Sequence, residues 1–446
     1  MQQEHELAEL SIDNALELAV ALHRTGHLDD AQSLYQRIHE AAPGNPDAVQ
    51  FLGVLAHQRG DSDRALQWLR ESTTLDPGRA DIQNNLGNVL KEVDRLDEAA
   101  EAYRRAIALD ARHADAHNNL AAVLRLQGRR SEAEEAYRTA IACDPAHVDA
   151  HNNMGNLLSS LGRVKEAVAY YCTAITLMPN HPETRKLLGI AYYTIGQVDA
   201  AAEVFRKWLQ DEPDNSVARH MHAACSGEQV PERASDEYVE YTFDAFASSF
   251  DGKLERLGYR APHLVAQALA TACPEPRPGW SGLDAGCGTG LCGPLITPWL
   301  ARLTGVDLSA GMLERARALG VYDELAKAEL TAYLAQHPGQ YELVVSADTL
   351  VYFGALEAVL GAAWRALRPD GLMIFTVEQS AAGVSYRINP HGRYSHGENY
   401  VRQAALGAGF EVAHISAETL RMESGVPVAG LLVTLVRPDA GGGPYA

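Results

Sequence analysis

Leu283-Asp284-Ala285-Gly286-Cys287-Gly288-Thr289-Gly290 is the stretch on which the reading of the C-terminal half turns. The residues leading into it, from Trp280, read as a short buried strand. Glycines at alternate positions let the backbone turn sharply and approach a ligand at the carboxyl end of that strand. A helix is expected after Pro294. A second strand, 302–306, runs into Asp307, 21 residues after Gly286, where a carboxylate can accept both hydroxyls of a ribose. Ser309-Ala310-Gly311-Met312-Leu313 then opens a helix. Further strands are expected at 341–346, 372–377, 411–415 and 429–437, the last two as an antiparallel edge pair.

The N-terminal half has a different grammar. Asp13, Asp47, Asp81, Asp115, Asp149 and Glu183 recur at steps of 34. The same step carries a small column (Ala31, Ala65, Ala99, Ala133, Ala167, Ala201) and a bulky one (Tyr35, Leu69, Tyr103, Tyr137, Tyr171, Phe205). It also carries Ala19, Gly53, Gly87, Ala121, Gly155 and Gly189, and a turn column of Gly26, Gly60, Asp94, Gly128, Gly162 and Gly196. Each unit reads as two apolar helices around a tight turn. One such unit cannot bury its own face, so the units must stack. The period covers residues 12–215 in six units, with a capping helix expected near 217–225.

The chain has 446 residues, 38 basic and 58 acidic, for a net charge of −20. That balance argues against nucleic acid as the main partner, since phosphate binding needs a basic footprint. Six scattered cysteines without a CxxC pair suggest free thiols. No apolar run approaches the roughly 18 residues of a membrane helix, and residues 1–6 do not resemble a signal peptide. The expectation is a cytoplasmic protein that does not use a membrane.

The 34-residue columns resemble the tetratricopeptide (TPR) motif. The glycine loop, Val306-Asp307-Leu308-Ser309 and Leu367-Arg368-Pro369-Asp370-Gly371-Leu372 together resemble class I S-adenosylmethionine (SAM)-dependent methyltransferases, from Tyr238 to Arg437. An NAD site would more usually show GxGxxG. The whole set, with Phe243-Asp244, Tyr352-Phe353-Gly354, Arg421 and Glu423, resembles bacterial TPR-repeat methyltransferases, related to ubiquinone-type and trans-aconitate-type enzymes. The implied fold has two parts, an all-α TPR superhelix and an α/β Rossmann-like domain with a seven-stranded, mostly parallel sheet. The implied layout is 1–226 for the repeats, 227–277 for a linker and lid helices, and 278–446 for the methyltransferase core.

By that resemblance Asp284, Gly286, Cys287, Gly288 and Gly290 surround the methionine part of SAM. Asp307 and Leu308 meet the ribose, and Met312, Glu329 and Leu330 the adenine. The segment 238–251 reads either as a helix packed on the sheet or as a lid over the cofactor. Methyl transfer requires positioning more than acid–base chemistry, so catalytic candidates rest on location. They are Asp348 and Tyr352 after the fourth strand, Glu378 after the fifth, and His396 as a base in a polar insert. Arg393 and Arg421 are candidates to clamp a carboxylate.

In the repeats, Asn84-Asn85, Asn118-Asn119 and Asn152-Asn153 recur in the middle units. Asparagine is a poor helix former, so these pairs want a reason. A ladder of Asn85, Asn119 and Asn153 resembles the asparagine ladder of O-GlcNAc transferase, implying a groove for a protein or peptide. The alternative is bonding between neighbouring repeats. His113, His117, His147, His151 and His181 follow the same period, and no metal site is expected from them. Three functions stay open: a methyltransferase whose repeats recruit a protein or peptide acceptor, a small-molecule O- or carboxyl methyltransferase with the repeats for assembly, and a non-enzymatic scaffold with a vestigial pocket.

Overall fold

The computed structural model describes residues 11–244, 247, 250–277, 279–423 and 425–439. The expected lid residues Ala245, Phe246, Ser248 and Ser249, rim residue Ser424, tail 440–444 and N-terminal residues 1–6 lie outside the described residues. The chain forms two compact units, one ending at Ile195 and one starting at Gly196. They part earlier than the 226/227 boundary read from the sequence, so residues 196–226 group with the α/β half.

The first unit is a stack of helices: α1 (Ile12–Arg24), α2 (Leu28–Ala41), α3 (Pro46–Gln58), α4 (Ser62–Leu75), α5 (Ala80–Glu92), α6 (Leu96–Leu109), α7 (Ala114–Leu126), α8 (Arg130–Cys143), α9 (Val148–Ser160), α10 (Val164–Leu177) and α11 (Pro182–Thr194). The repeat columns explain its packing. A Cβ added at Gly87 would stand 2.5 Å from the Tyr103 ring, and one at Gly155 would stand 2.5 Å from Tyr171. The small column thus exists because the bulky column of the partner helix fills its place. The turn column is a backbone requirement: Gly26, Gly60, Gly128 and Gly162 sit at φ 77–82°, and Asp94 at 59°. Histidines 113, 147 and 181 cap α7, α9 and α11, each ring accepting a backbone N–H. The histidine period therefore has a helix-capping cause.

The second unit opens with α12 (Val198–Asp211) and α13 (Ser216–Ser226). Gly227 ends α13 in the left-handed conformation at φ 74°. Three helices follow: α14 (Asp236–Asp244), α15 (Phe250–Arg256) and α16 (Ala261–Ala272). The sheet uses β1 (Trp280–Ala285), β2 (Leu300–Asp307), β3 (Glu324–Lys327), β4 (Tyr341–Ser346), β5 (Leu367–Gln379), β6 (Tyr386–Ile388), β7 (Tyr394–His396), β8 (Glu411–Glu423) and β9 (Val426–Val436). Strands β3-β2-β1-β4-β5 run parallel, and β9 lies antiparallel to both β5 and β8. This confirms the Rossmann-like α/β class.

The sheet has nine strands rather than seven among the described residues. The additional pair is the β6–β7 hairpin, folded from the segment read as a polar insert. Glu378 of β5 faces Gly430 of β9 on one side and Ser395 of β7 on the other. Hence β7 takes the place beside β5 that β4 leaves after Ser346. The edge pair β8–β9 is also longer than the expected strands, because alternation in 416–423 is polar enough to hide a strand.

Candidate active site

A cavity lies where β1, β2 and β4 end, which is where open α/β sheets bind ligands. The glycine loop forms one wall. Gly286, Gly288 and Gly290 have φ of 75°, 54° and 92°. A Cβ at Gly286 would stand 2.2 Å from the Thr349 side chain, whose hydroxyl donates to the Gly286 carbonyl at 3.0 Å. At Gly288 a Cβ would meet nothing within 4 Å, so this turn faces open space. The loop is thus a backbone cradle held from behind by Thr349.

Two carboxylates frame it. Asp284 is buried and accepts the Tyr322 hydroxyl at 2.7 Å. Burial pushes its carboxyl up to about 7, against the Tyr322 hydrogen bond. Asp307 accepts the Gly288 N–H at 2.9 Å and the Ser309 N–H at 2.8 Å. It therefore stitches the glycine loop to the start of helix α17 (Ala310–Ala318) while lining the cavity. Burial raises its pKa despite these donors. Cys287, Leu308, Glu329 and Leu330 also line the cavity. Met312, expected at the adenine, is buried and is not among the cavity residues; its N–H is held by the Ser309 hydroxyl at 3.1 Å. Glu329 caps the helix Leu330–Gln336, with its two oxygens on the Thr331 and Ala332 amides at 2.9 and 2.7 Å. A ligand amino group there would have to use the remaining lone pairs.

The other end of the cavity is ionic. Arg421 donates to Asp348 at 2.5 Å, to Glu423 at 2.8 Å and to Glu378. Arg393 donates to Glu378 and to Glu423, both at 2.6 Å. The two guanidiniums are thus matched by three internal carboxylates. That corrects the expectation of a free carboxylate clamp: an incoming carboxylate would have to displace one of these partners. Burial acts to raise Glu378 and Glu423, but the Arg393 and Arg421 charges outweigh it and hold both carboxyls below their usual range. Asp348 is a non-glycine residue at φ 56°, a conformation that costs roughly 1–3 kcal/mol and tends to mark functional sites. Tyr352 lines the cavity with its ring 5.4 Å from Phe243, edge to face. Burial raises its hydroxyl pKa, so the group stays a donor at neutral pH.

His396 does not belong here. It is fully buried in β7, its Nε2 lies 3.1 Å from the Gly354 carbonyl, and its ring stacks on Tyr400. It is not among the cavity residues, and burial pushes its pKa down to about 4. The role of base assigned from its sequence context is corrected by this placement.

Sequence reasoning missed the strap 231–234. Read as a linker, it is bonded along its length. Ala234 N–H donates to the Tyr352 carbonyl at 2.8 Å. The Glu232 carbonyl accepts from Gly354 and Ala355 at 2.7 and 2.9 Å, and the Tyr394 hydroxyl donates to Pro231 at 2.7 Å. Arg233 and Ala234 line the cavity, as do Val239, Phe243 and Phe250 of the helices that follow. Asp244 accepts from the Ser309 hydroxyl and, at 3.3 Å, from Gly311 N–H. These pairings join residues 65 to 163 apart in sequence, so no local pattern could announce them.

The asparagines of the first unit form a continuous chain. Asn119 donates to Asn84 and to Asn88, both at 3.1 Å. Asn118 donates to Asn119 at 3.4 Å and accepts from Asn153 at 3.0 Å. Tyr103 closes on Asn88 at 2.8 Å, and Thr184 on Asn152 at 2.8 Å. Asn84, Asn88, Asn118, Asn119, Asn152 and Asn153 thus bond between neighbouring repeats. Asn85, Asn119 and Asn153 remain half-buried at equivalent positions.

Residues 283–375 match a methyltransferase domain family, and residues 16–80, 84–148, 136–169 and 158–225 match tetratricopeptide repeat families. The chain is 33% identical over 151 residues to Methyltransferase-like protein 27 of Homo sapiens, spanning 32% of this chain and 60% of that protein. It is 28% identical over 188 residues to a Ubiquinone biosynthesis O-methyltransferase of Thiobacillus denitrificans, spanning 36% of this chain and 79% of that one. The solved structure of Pseudomonas aeruginosa pilF is similar at TM-score 0.42 and 19% identity, over 48% of this chain and 96% of that one.

Proposed function

We propose that this chain, which carries a methyltransferase domain behind tetratricopeptide repeats, transfers the methyl group of SAM to a protein or peptide acceptor recruited by the repeats. The observation that carries the cofactor half is the open cradle at Gly288 beside Asp307, with Asp284 behind it. These residues fit SAM: the Gly286 and Gly288 backbone and Asp284 would hold the methionine part, and Asp307 and Leu308 the ribose. Glu329 and Leu330 would hold the adenine, with Met312 packed nearby as a proposed support. SAM supplies an electrophilic methyl on a sulfonium.

The protein's part is to orient and to exclude water. Phe243, Phe250 and Tyr352 wall the cavity with apolar and aromatic surface. Tyr352 and the Asp348–Arg421 pair line the same cavity, and they are the groups proposed to face the acceptor. Tyr352 would donate a hydrogen bond to the acceptor, and Asp348 holds Arg421 in place. Arg393 and Arg421 organise this end through Glu378 and Glu423.

Tetratricopeptide repeats suggest protein–protein interaction, and this supports a recruited acceptor; the Asn85, Asn119 and Asn153 edge is the surface proposed for it. The relative named for ubiquinone biosynthesis favours the second reading, a small-molecule acceptor. Incubating the full chain with methyl-labelled SAM and source-cell extract separates the two. Label in the protein fraction supports recruitment, and label only in the small-molecule fraction supports the rival. Failure to bind SAM leaves the scaffold.

A further inference from the structure

Helix α13 follows the sixth repeat, yet it makes a buried contact with the cavity's own supports. His220 is 4% exposed and lies with Nε2 2.7 Å from the Gly392 carbonyl, across 172 residues of sequence. Its ring stacks on Tyr238 at 3.9 Å between centroids, with planes 26° apart. The Tyr238 hydroxyl meets the Met221 sulfur at 3.7 Å, and the Cys225 thiol meets the Pro390 carbonyl at 3.8 Å. Gly392 has no room to vary: at φ 86°, a Cβ there would stand 2.7 Å from the Tyr238 hydroxyl and 3.2 Å from the Met221 sulfur.

The turn held in this way is the one that carries Arg393. Gly392 N–H donates to Asn389 at 2.8 Å, and Asn389 N–H and side chain both reach the Arg393 carbonyl, at 2.9 and 3.1 Å. Arg393 then enters the cavity between Glu378 and Glu423. A buried carbonyl with one strong donor, a ring stacked over the turn and a glycine with no spare volume fix one conformation of residues 389–393. A guanidinium bridging two carboxylates is sensitive to displacement, since its planar fork must keep both hydrogen bonds aligned at once.

We propose that His220 is a positioning residue for the active site: from the helix that ends the repeat array, it fixes the 389–393 turn and through it the Arg393 guanidinium at the acceptor end of the cavity. The proposal rests on the assignment of that end to the acceptor. Its chemistry needs only a neutral imidazole with Nε2 as the donor, which burial favours by lowering the ring's pKa.

The test is the exchange of the Arg393 Nε proton with solvent, followed by NMR in the full chain and assigned by its loss in Arg393→Lys. His220→Phe keeps an aromatic ring against Tyr238 and removes the hydrogen bond, and a cooperative thermal melt checks that the variant is folded. It is expected to speed that exchange at least tenfold, and His220→Gln, which restores a donor, to slow it again. SAM affinity, read by calorimetry, is expected to stay within twofold. An unchanged Arg393 proton in His220→Phe overturns the proposal, as does a parallel collapse of SAM affinity, which would mark a general structural role. Failure of the wild-type chain to bind SAM would instead sink the methyltransferase reading, so the two failures are told apart.

Discussion

Asp94 stands in the turn position that glycine fills in the neighbouring repeats, at φ 59°. An aspartate tolerates this region better than most residues but still carries strain there. Asp94→Gly should therefore stabilise the repeat unit by up to ~1 kcal/mol, read as a higher urea midpoint at unchanged slope. Gly87→Ala should do the reverse, by ~1–3 kcal/mol, because its Cβ would overlap the Tyr103 ring. Asp284 makes a pH prediction. Its carboxyl sits at about 7 in the folded chain against an ordinary 3.8. Between those values the folded state holds a proton that the unfolded state has lost, so the ligand-free protein loses stability as pH rises through that window. Melting temperatures at pH 5 and 7.5 should differ less in Asp284→Asn than in the wild type. Equal differences would contradict the buried, protonated carboxyl.

At the scale of elements, the asparagine ladder is a device for joining helices α5, α7 and α9. Each amide removed leaves a partner unsatisfied, at roughly 1–3 kcal/mol. Asn119→Ala with Asn153→Ala should lower the array's unfolding free energy by several kcal/mol and leave SAM affinity unchanged. A neutral double variant would return these residues to a purely ligand-facing role. The same elements show what was legible beforehand. A period of 34 with five aligned columns over six units fixes helices, turns and the small-against-large packing, because every one of those constraints is local or one repeat away. The glycine loop and Asp307 were legible because a strand, a turn and a helix start are contiguous. The Asp348–Arg421–Glu378–Arg393–Glu423 cluster was only half visible. Asp348, Glu378, Arg393 and Arg421 stand out as candidates in the sequence, but their mutual neutralisation with Glu423 depends on β5, β7 and β8 meeting, which no single segment records. His396 misled because a polar-looking context hides that β7 is an interior strand.

At the scale of the molecule, the second unit begins before the repeats end. A chain starting at residue 235 loses the strap's four hydrogen bonds to 352–355 and Tyr394, a loss of roughly 2–6 kcal/mol, besides the α13 contact. It should melt well below a chain starting at residue 196. Equal melting would show that the strap is a true linker.

The central claim is that the cavity holds SAM through the glycine loop and Asp307. Titrating SAM into the full chain and into Asp307→Ala by calorimetry tests it most directly. The account predicts one site in the wild type and an affinity lower by roughly 10–100-fold in the variant, the worth of hydrogen bonds to a charged group. A wild type that does not bind, or a variant that binds equally well, would contradict it.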